Sequence, residues 1–365
     1  MAAVVLALSA LAIVWVAQPG PIDPAPFEPP AALELTGPLA ANELLRRAEP
    51  IAPGRVPGGE DVAIDAQGRL YTGTVDGRIL RLERDDGAGA EEGREGGGGG
   101  GWRVETFAVT GGRPLGLDFA PDGDLIVCDG RRGLLRVTPA GTVEVLATGA
   151  GGVPFRFADD VDVAADGRIY FTDASSRYGP DEYLYDLLEA RPHGRFLVHD
   201  PASGTTTVLA GGLYFANGVA LSRDQSFAVV AETYRYRLLR CGLTVGEGCE
   251  VFADDLPGFP DGVSSDGAGT FWAALYTVRN RAVDRLHPHP WAKRLLARLP
   301  RVLWPKPEPY GLVVAFDERG RVLRALHDPG GERVREVTSA EPHGGALYLG
   351  TLREDRIAVW RPPGG

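Results

Sequence analysis

Four stretches of the chain repeat one pattern, and each copy has an oxygen-bearing side chain at the same place in it. The copies run over 58–71, 157–171, 215–230 and 259–273. After alignment on their turn residues, the position eight residues before the turn is occupied by Glu60, Asp159, Asn217 and Asp261. Repeats related by rotation bring equivalent positions to one axis, so we expect these four side chains to converge.

Three carboxylates and one amide, with no Cys or His among them, are the oxygen donors that a hard cation prefers. We predict that these four residues bind a divalent metal ion. Ca²⁺ is favoured over Mg²⁺ because a wide site accommodates about six to eight ligands, with water or substrate oxygens completing the shell. The alternative is that acidic residues at strand starts only shape turns. The neighbouring Asp61, Asp160 and Asp162 are given that role, or a supporting role as hydrogen-bond partners.

The elements that would position these residues are short alternating strands from about residue 55 onward, separated by Gly, Asp and Pro turns. Further copies of the pattern occur at 112–130 and, in degenerate form, at 337–351, which makes six copies. A period of about 40–50 residues with several strands per copy is typical of β-propeller blades. We therefore predict an all-β fold, a six-bladed β-propeller over residues 51–365. The ligands lie at one mouth of its channel, where blades two and six have Leu115 and Val337.

Three insertions interrupt the blades. Residues 83–101 are acidic and then pure glycine, which predicts a disordered loop. Residues 179–193 are compatible with a short helical or irregular excursion. Residues 281–300 contain the run WAKRLLARL, whose apolar side chains recur at helical spacing, so we predict a short helical insertion there. Two interpretations of this helix stay open: a cap packed on the propeller, and a lid or membrane-surface contact.

The N-terminus is apolar from residue 2 to residue 17 apart from Ser9, and no charged side chain precedes Asp23. A cleaved signal peptide usually has a basic start and small residues before its cleavage site. We therefore favour an uncleaved membrane-anchor helix over residues 1–20, with a signal peptide as the alternative. The Pro-rich segment 21–50 is predicted to be an extended linker and entry segment. We expect the propeller to lie outside the cytoplasm, where Ca²⁺ is plentiful.

Composition narrows the class of partner. The net charge is −11 and the sequence has no basic face, so nucleic acid is excluded as a partner.

The three cysteines do not match zinc-ligand spacing. Cys241 and Cys249 flank a short Gly-containing segment and are placed to bridge a hairpin in an oxidising compartment. Two unpaired thiols are the alternative.

One histidine is a candidate for proton transfer. His343 is expected at the start of the inner strand of the sixth blade, where it would act as a proton shuttle. The alternative is a rim histidine without a chemical role. The sequence contains no nucleophile elbow, phosphate-binding loop or dinucleotide motif.

Long motifs in the second half of the chain resemble the strictosidine synthase-like family. They run over 194–241 and 251–275, and FTDASSRY at 171–178 and HGGALYLGT at 343–351 fit as well. The apolar N-terminus is typical of the adipocyte plasma-membrane-associated branch of that family. The resemblance implies a six-bladed propeller related to the paraoxonases and gluconolactonases, with Ca²⁺ or a similar ion in the central tunnel.

The ligands of that ion in the resembling families match Glu60, Asp159, Asn217 and Asp261, the same residues that the internal repeat selects. Asp159 stands where Asn is usual. The paraoxonase-type histidine falls at Leu115, and the acid of the true strictosidine synthases falls at Pro342, with Glu341 one place away. These departures imply that neither the paraoxonase mechanism nor the strictosidine synthase mechanism transfers to this chain.

The resulting hypothesis is a membrane-anchored, metal-dependent hydrolase acting on a small-molecule lactone or ester. The resemblance to gluconolactonases makes Asp261 a candidate general base as well as a ligand, and His343 or Asp160 are further candidates for proton transfer. The alternative is a propeller that binds a ligand or partner without catalysis and holds a structural calcium. Carbon–carbon condensation of the strictosidine synthase type is disfavoured because its acid is displaced.

Overall fold

Each repeat of the sequence pattern folds into one antiparallel sheet of four strands, and the inner strands of successive sheets contact one another. The computed structural model describes residues 20–85 and 101–363. Strands in the middle of each sheet are buried on both faces because the sheets pack face to face. The six four-stranded sheets confirm the predicted all-β, six-bladed propeller.

The first strand, β1 (Glu49–Ile51), is followed by blade one with β2 (Ala63–Ile64), β3 (Leu70–Gly73), β4 (Arg78–Arg84) and β5 (Trp102–Val109). Blade two has β6 (Pro114–Phe119), β7 (Leu125–Asp129), β8 (Gly133–Val137) and β9 (Val143–Ala147), and the hairpin β10 (Gly149–Ala150) and β11 (Val153–Pro154) follows it. Blade three has β12 (Ala158–Val163), β13 (Ile169–Asp173), β14 (Gly194–Asp200) and β15 (Thr205–Leu213).

Blade four has β16 (Ala216–Leu221), β17 (Phe227–Glu232), β18 (Arg237–Gly242) and β19 (Cys249–Ala253). Blade five has β20 (Gly258–Ser265), β21 (Thr270–Val278), β22 (Gly311–Asp317) and β23 (Val322–Asp328). Blade six has β24 (Val337–His343), β25 (Ala346–Thr351) and β26 (Ile357–Trp360), and β1 is its outermost strand. Short 3-10 helices occur at Gly37–Leu39, Leu44–Arg47, Thr233–Arg235 and Arg301–Leu303.

Blade six closes the ring with strands from both ends of the chain. Glu49 of β1 lies opposite Val359 of β26, and the side chains of Ile51 and Ile357 are buried beside each other in one core cluster. The folded ring therefore begins at β1, two residues before the predicted boundary at residue 51.

A bulge at the start of the inner strand sets the register of blades two to six. Gly116 and Gly218 face the carbonyl oxygens of Asp159 and Asp261 in the next blade, and Gly262 faces that of Thr338 in the same way. Thr338, and not the predicted Val337, therefore occupies the ring position in blade six. The prediction is wrong by one residue because β24 and β25 are joined by two residues, whereas β12 and β13 are joined by five.

A helical cap covers the mouth of the channel. Helix α1 (Tyr183–Glu189) lies between β13 and β14, and helices α2 (Arg281–Leu286) and α3 (Pro290–Ala297) lie between β21 and β22. Both connections leave the blades at the end where the inner strands begin, since Asp173 pairs with Ala158 and Val278 pairs with Gly258. The predicted helical insertion is confirmed, and it contains two helices where one was expected.

The N-terminal segment crosses this cap. The Ala25 N–H donates to Glu189 O at 2.9 Å, and the Phe27 N–H donates to His287 O at 3.1 Å. Ile22, Leu39 and Leu45 are buried. The segment predicted to be a spacer is largely without regular structure, as its proline content indicates, but it packs on the propeller instead of standing free.

The predicted anchor lies outside the described residues except for Gly20, and so does the predicted Gly-rich loop between residues 86 and 100. The flanks of that loop are ordered, because β4 extends to Arg84. Within residues 20–85 and 101–363, no helix is long and apolar enough to cross a bilayer.

The two cysteines that the sequence left ambiguous form a disulfide. Cys241 of β18 and Cys249 of β19 lie opposite each other, with a Cα–Cα distance of 4.1 Å. Cys128 is buried and free. Of the two alternatives, the structure contains the bridged hairpin.

Candidate active site at the tunnel mouth

Glu60, Asp159, Asn217 and Asp261 occupy equivalent places at the start of four inner strands, and the repeat brings them to one mouth of the tunnel. Asp159, Asn217 and Asp261 are 3%, 7% and 8% exposed, so their polar atoms are largely removed from bulk water. We call these four residues the mouth ring. The carboxyl groups of Glu60, Asp159 and Asp261 influence one another electrostatically.

The three carboxyl groups of the mouth ring disfavour one another's negative charge. Burial, and then the charges of Glu60 and Asp261, raise the pKa of Asp159 well above its usual range. The pKa of Asp261 is raised well above its usual range by burial and by Glu60, and is partly lowered by a hydrogen bond from the Asn217 side chain. A nearby cation stabilises the charged form of such carboxyl groups.

Arg113 supplies one positive charge beside the ring. Its Nη2 lies 3.4 Å from Glu60 Oε2, and its Nη1 donates to Gly58 O at 3.1 Å. Burial raises the pKa of Glu60, whereas Arg113 lowers it. Sequence reasoning missed Arg113, although it directly precedes β6, the inner strand of the blade that contributes the apolar Leu115.

The donor types of the mouth ring, carboxylate and amide oxygens, are those that a hard cation prefers. Asp159 Oδ2 is buried and has no hydrogen-bond partner in the described part of the chain. The Asn217 amide donates an N–H to the Asp261 carboxylate. The amide carbonyl oxygen of Asn217 therefore stays available as a metal ligand. Among residues 20–85 and 101–363, no three His, Cys, Asp or Glu side chains are arranged so that they could hold a metal ion. A metal site here would therefore require Asn217 and oxygens of water or substrate as ligands.

Four further carboxylates line the tunnel below the mouth ring, and each accepts a hydrogen bond from a backbone N–H. The donors belong to the inner strand of the next blade: Leu117 for Asp61, Val163 for Asp118, Val219 for Asp160 and Leu221 for Asp162, at 2.7–2.9 Å. An inner strand has one unpaired edge, and these bonds satisfy its exposed donors. Asp61, Asp160 and Asp162 therefore have the supporting role that was weighed for them.

Glu341 also faces the tunnel, on β24 opposite Tyr348. Burial, and then the charges of Asp61 and Asp118, raise its pKa well above the usual range. Sequence reasoning noted Glu341 only as an acid displaced from a family position. Glu341 follows the ring position Thr338 by three residues, as Asp162 follows Asp159. It therefore lies deep in the tunnel, below the mouth ring.

His343 is the last residue of β24, not the first, and its side chain is exposed. It lies five residues beyond the ring position Thr338, or about 16 Å along the strand. The expected placement at the start of the inner strand is thus corrected, because the tight turn at Gly344 and Gly345 follows His343 directly. The structure brings the four mouth-ring residues together and leaves His343 at the opposite end of the tunnel.

Three tyrosines, Tyr183, Tyr234 and Tyr276, lie in the cap and at the mouth end of the blades. Tyr234 Oη donates to Tyr183 O at 3.0 Å, and Arg353 Nη2 donates to Tyr183 Oη at 3.2 Å. Tyr276 Oη is buried without a hydrogen-bond partner among the described residues. Burial is the main cause that raises the pKa of Tyr276, and the charge of Asp261 contributes. The sequence had given no reason to select Tyr276.

Comparison with known proteins identifies the family. The family profile "Strictosidine synthase" matches residues 159–244, and "Strictosidine synthase-like, N-terminal" matches residues 37–82. The adipocyte plasma membrane-associated protein of Mus musculus is 36% identical over 375 residues, covering 98% of this chain and 88% of that protein. The STRICTOSIDINE SYNTHASE-LIKE 7 protein of Arabidopsis thaliana is 34% identical over 331 residues, covering 88% and 83%.

Solved structures with the same fold include a gluconolactonase from Xanthomonas campestris, with a TM-score of 0.59 and 19% identity over 94% of this chain and 98% of that one. A calcium-binding regucalcin from Agrobacterium tumefaciens has a TM-score of 0.58 and 16% identity, covering 84% and 90%. These identities establish a common fold only. Because the mouse and plant relatives are similar over most of its length, the chain belongs to the strictosidine synthase-like family.

Proposed function

We propose that this protein is a metal-dependent hydrolase that acts on a lactone or ester at the mouth ring. The observation that carries the proposal is a group of three mutually repelling carboxyl groups and one amide at a buried mouth, where Asp159 Oδ2 has no hydrogen-bond partner among the described residues. A site of this kind lowers its free energy by binding a divalent cation, and Ca²⁺ suits the oxygen donors. The gluconolactonase and calcium-binding regucalcin among the similar propellers support both parts of the proposal.

Each residue of the ring would have a defined task. Glu60, Asp159, Asn217 and Asp261 would hold the ion, which when bound polarises a carbonyl oxygen and lowers the pKa of water. Asp261 would accept a proton from the attacking water. The Asn217 amide orients that carboxylate, and Arg113 favours the charged form of Glu60.

Tyr276 would orient the substrate. The Tyr276 hydroxyl on β21 is buried and has no hydrogen-bond partner among the described residues, and an ester or lactone oxygen is an acceptor of matching chemistry. The names of the mammalian relatives support membrane association, and the disulfide supports a location outside the cytoplasm.

The test measures turnover of a lactone and aryl-ester panel by the full-length chain with Ca²⁺ and with a chelator. We expect chelation to abolish turnover, and Asp261→Asn to reduce it by about 100-fold or more. The matched control is Asp122→Asn, an acid in an exposed turn outside the tunnel. Turnover that survives chelation, or that Asp261→Asn leaves unchanged, would contradict the mechanism.

The second candidate function is a non-catalytic propeller that binds a ligand or partner and holds a structural calcium. It is favoured by Leu115, which stands in the ring register of blade two without any proton-transfer group. A melting temperature that rises with Ca²⁺, together with no turnover across the panel, would select this alternative.

A further inference from the structure

The cap exposes four large apolar side chains within thirteen residues of the sequence. Trp291 and Leu295 of α3 are 70% and 39% exposed, and Val302 and Leu303 of the following 3-10 helix are 74% and 62% exposed. Removing such apolar side chains from water is favourable. Four of them on a short stretch of chain indicate an interaction surface. We call these four residues the cap patch.

The opposite face of the cap helices is fixed to the propeller. Lys293 is fully buried and its Nζ donates to Ala25 O, while Ala297 packs in a cluster with Ile22 and Trp304. The Trp304 indole N–H donates to Leu299 O at 3.0 Å. The inward face of α3 is therefore already satisfied, and the cap patch is presented by a rigid support instead of a loose loop.

The charge of this insertion is opposite to that of the whole chain. Residues 279–306 contain eight basic side chains and one acidic side chain, whereas the chain as a whole has a net charge of −11. Arg294, Arg301 and Lys306 are exposed beside the cap patch. Aromatic and aliphatic side chains flanked by Arg and Lys are the composition of surfaces that lie in the interface of an anionic bilayer.

The described chain begins at this surface. The Arg298 Nε of the cap lies 3.5 Å from the position that a Cβ on Gly20 would occupy. The sequence immediately before this point is the apolar run of residues 2–17. The N-terminal end of the described residues therefore lies beside the cap.

We propose that Trp291, Leu295, Val302 and Leu303 insert into the headgroup region of an anionic bilayer, with the neighbouring basic residues contacting lipid phosphates. The cap stands on the mouth end of the propeller, so this orientation turns the tunnel mouth towards the membrane. As a corollary that rests on the proposed function, the substrate is a lipophilic ester or lactone that partitions into the bilayer.

The experiment places an environment-sensitive dye on two single-cysteine variants of the full-length chain, each reconstituted into vesicles of phosphatidylcholine with or without phosphatidylserine. Val302→Cys reports on the cap patch. Leu323→Cys is the matched control, because Leu323 is also apolar and is 50% exposed, but it lies on β23 near the opposite end of the propeller. The native cysteines do not react, since Cys128 is buried and the other two form a disulfide.

We expect the dye at position 302 to shift to the blue and to be quenched by lipid-borne quenchers, and both effects to decrease without phosphatidylserine. The dye at position 323 should stay in water in both membranes. Equal solvent exposure of the two dyes on vesicles would overturn the proposal. Protection of position 302 in detergent, rising with protein concentration, would assign the patch to a second copy of the chain and would also overturn it.

The dye measurement does not depend on catalysis, so its outcome is separate from that of the proposed function. A membrane-inserted cap with no turnover would retain the interaction surface and remove only the corollary about the substrate.

Discussion

The Arg113 guanidinium of blade two lies 3.4 Å from the Glu60 carboxylate of blade one, measured from Nη2 to Oε2. Blade two contributes no acid to the mouth ring, yet it contributes the cation that stabilises the ring's first acid. Glu60 is therefore partly neutralised by the protein itself. Asp159, which has no such partner and an unpaired Oδ2, is the carboxylate of the ring most in need of an external cation.

Asp159→Asn should have opposite effects on the metal-free and the metal-bound protein. The variant removes a buried charge that burial, Glu60 and Asp261 all disfavour, so the metal-free protein should gain about 1 kcal/mol or more of unfolding free energy at pH 8. The rise in melting temperature on adding Ca²⁺ should shrink. Thermal denaturation with Ca²⁺ and with chelator measures both effects. A variant that is less stable than the wild type without metal would argue against repulsion within the ring.

Asp186→Asn should flatten the pH dependence of stability. Burial is the main cause that raises the pKa of Asp186 from 3.8 to about 7. The folded state thus holds a proton that the unfolded chain releases, and this contribution is fully present below pH 3.8 and lost as the pH rises to about 7. Urea unfolding between pH 5 and 8 should give a steeper decline for the wild type than for the variant. Asp181→Asn, an exposed acid of the same insertion, is the control.

His287→Leu should remove a pH dependence of stability that runs in the opposite direction to that of Asp186. Burial, and then the charges of Lys293 and Arg235, lower the pKa of His287 to about 3 from 6.5, and neither ring nitrogen has a partner in the described chain. The unfolded chain takes up a proton below pH 6.5 and the folded one does not, so acidification destabilises the wild type. The hydrogen-exchange protection factor of the Phe27 amide, which donates to His287 O, should be lower at pH 5 than at pH 7 in the wild type but not in the variant.

Tyr276→Phe should change turnover without lowering stability. The hydroxyl has no hydrogen-bond partner in the described structure, so its removal leaves no group newly unpaired. We expect KM for the lactone or ester to rise if the hydroxyl orients the substrate. Tyr170→Phe is the matched control, because Tyr170 Oη is also buried and unpartnered but lies on β13 near the other end of the blade. Equal kinetics for both variants would remove Tyr276 from the site.

Reduction of the Cys241–Cys249 disulfide should lower the unfolding free energy by about 2–3 kcal/mol, as expected for a bridge that closes a short loop. The measurement is urea unfolding with and without reductant, with the Cys241→Ser/Cys249→Ser double variant as the reference. A wild type that does not respond to reductant would show that the two thiols are unpaired in the purified protein.

The fold and the mouth ring could be predicted from the sequence because both depend on one local signal, the repeat of strand, turn and strand. Equivalent turns in blades one, three, four and five align Glu60 with Asp159, Asn217 and Asp261. The same signal failed in blade six, where a turn of two residues shifts the register to Thr338 and carries His343 to the far end.

Other features of the site depend on contacts that no local pattern encodes. Arg113 directly precedes β6 and Tyr276 lies on β21, where the sequence pattern indicates only burial. The relation of both residues to the ring arises from the packing of neighbouring blades. The Pro-rich N-terminal segment was expected to stand free because its composition indicates extended backbone. Composition does not report on the partners of that backbone, which are Glu189, His287 and Asp255.

The pairing of β1 with β26 has a consequence for how the protein is made. Glu49 is synthesised early, but its partner Val359 leaves the ribosome only when the chain is almost complete. The nascent propeller therefore remains an open arc with two unpaired strand edges throughout translation, and such edges can pair with other chains. A chaperone that shields those edges would be needed most by products that terminate before Ile357.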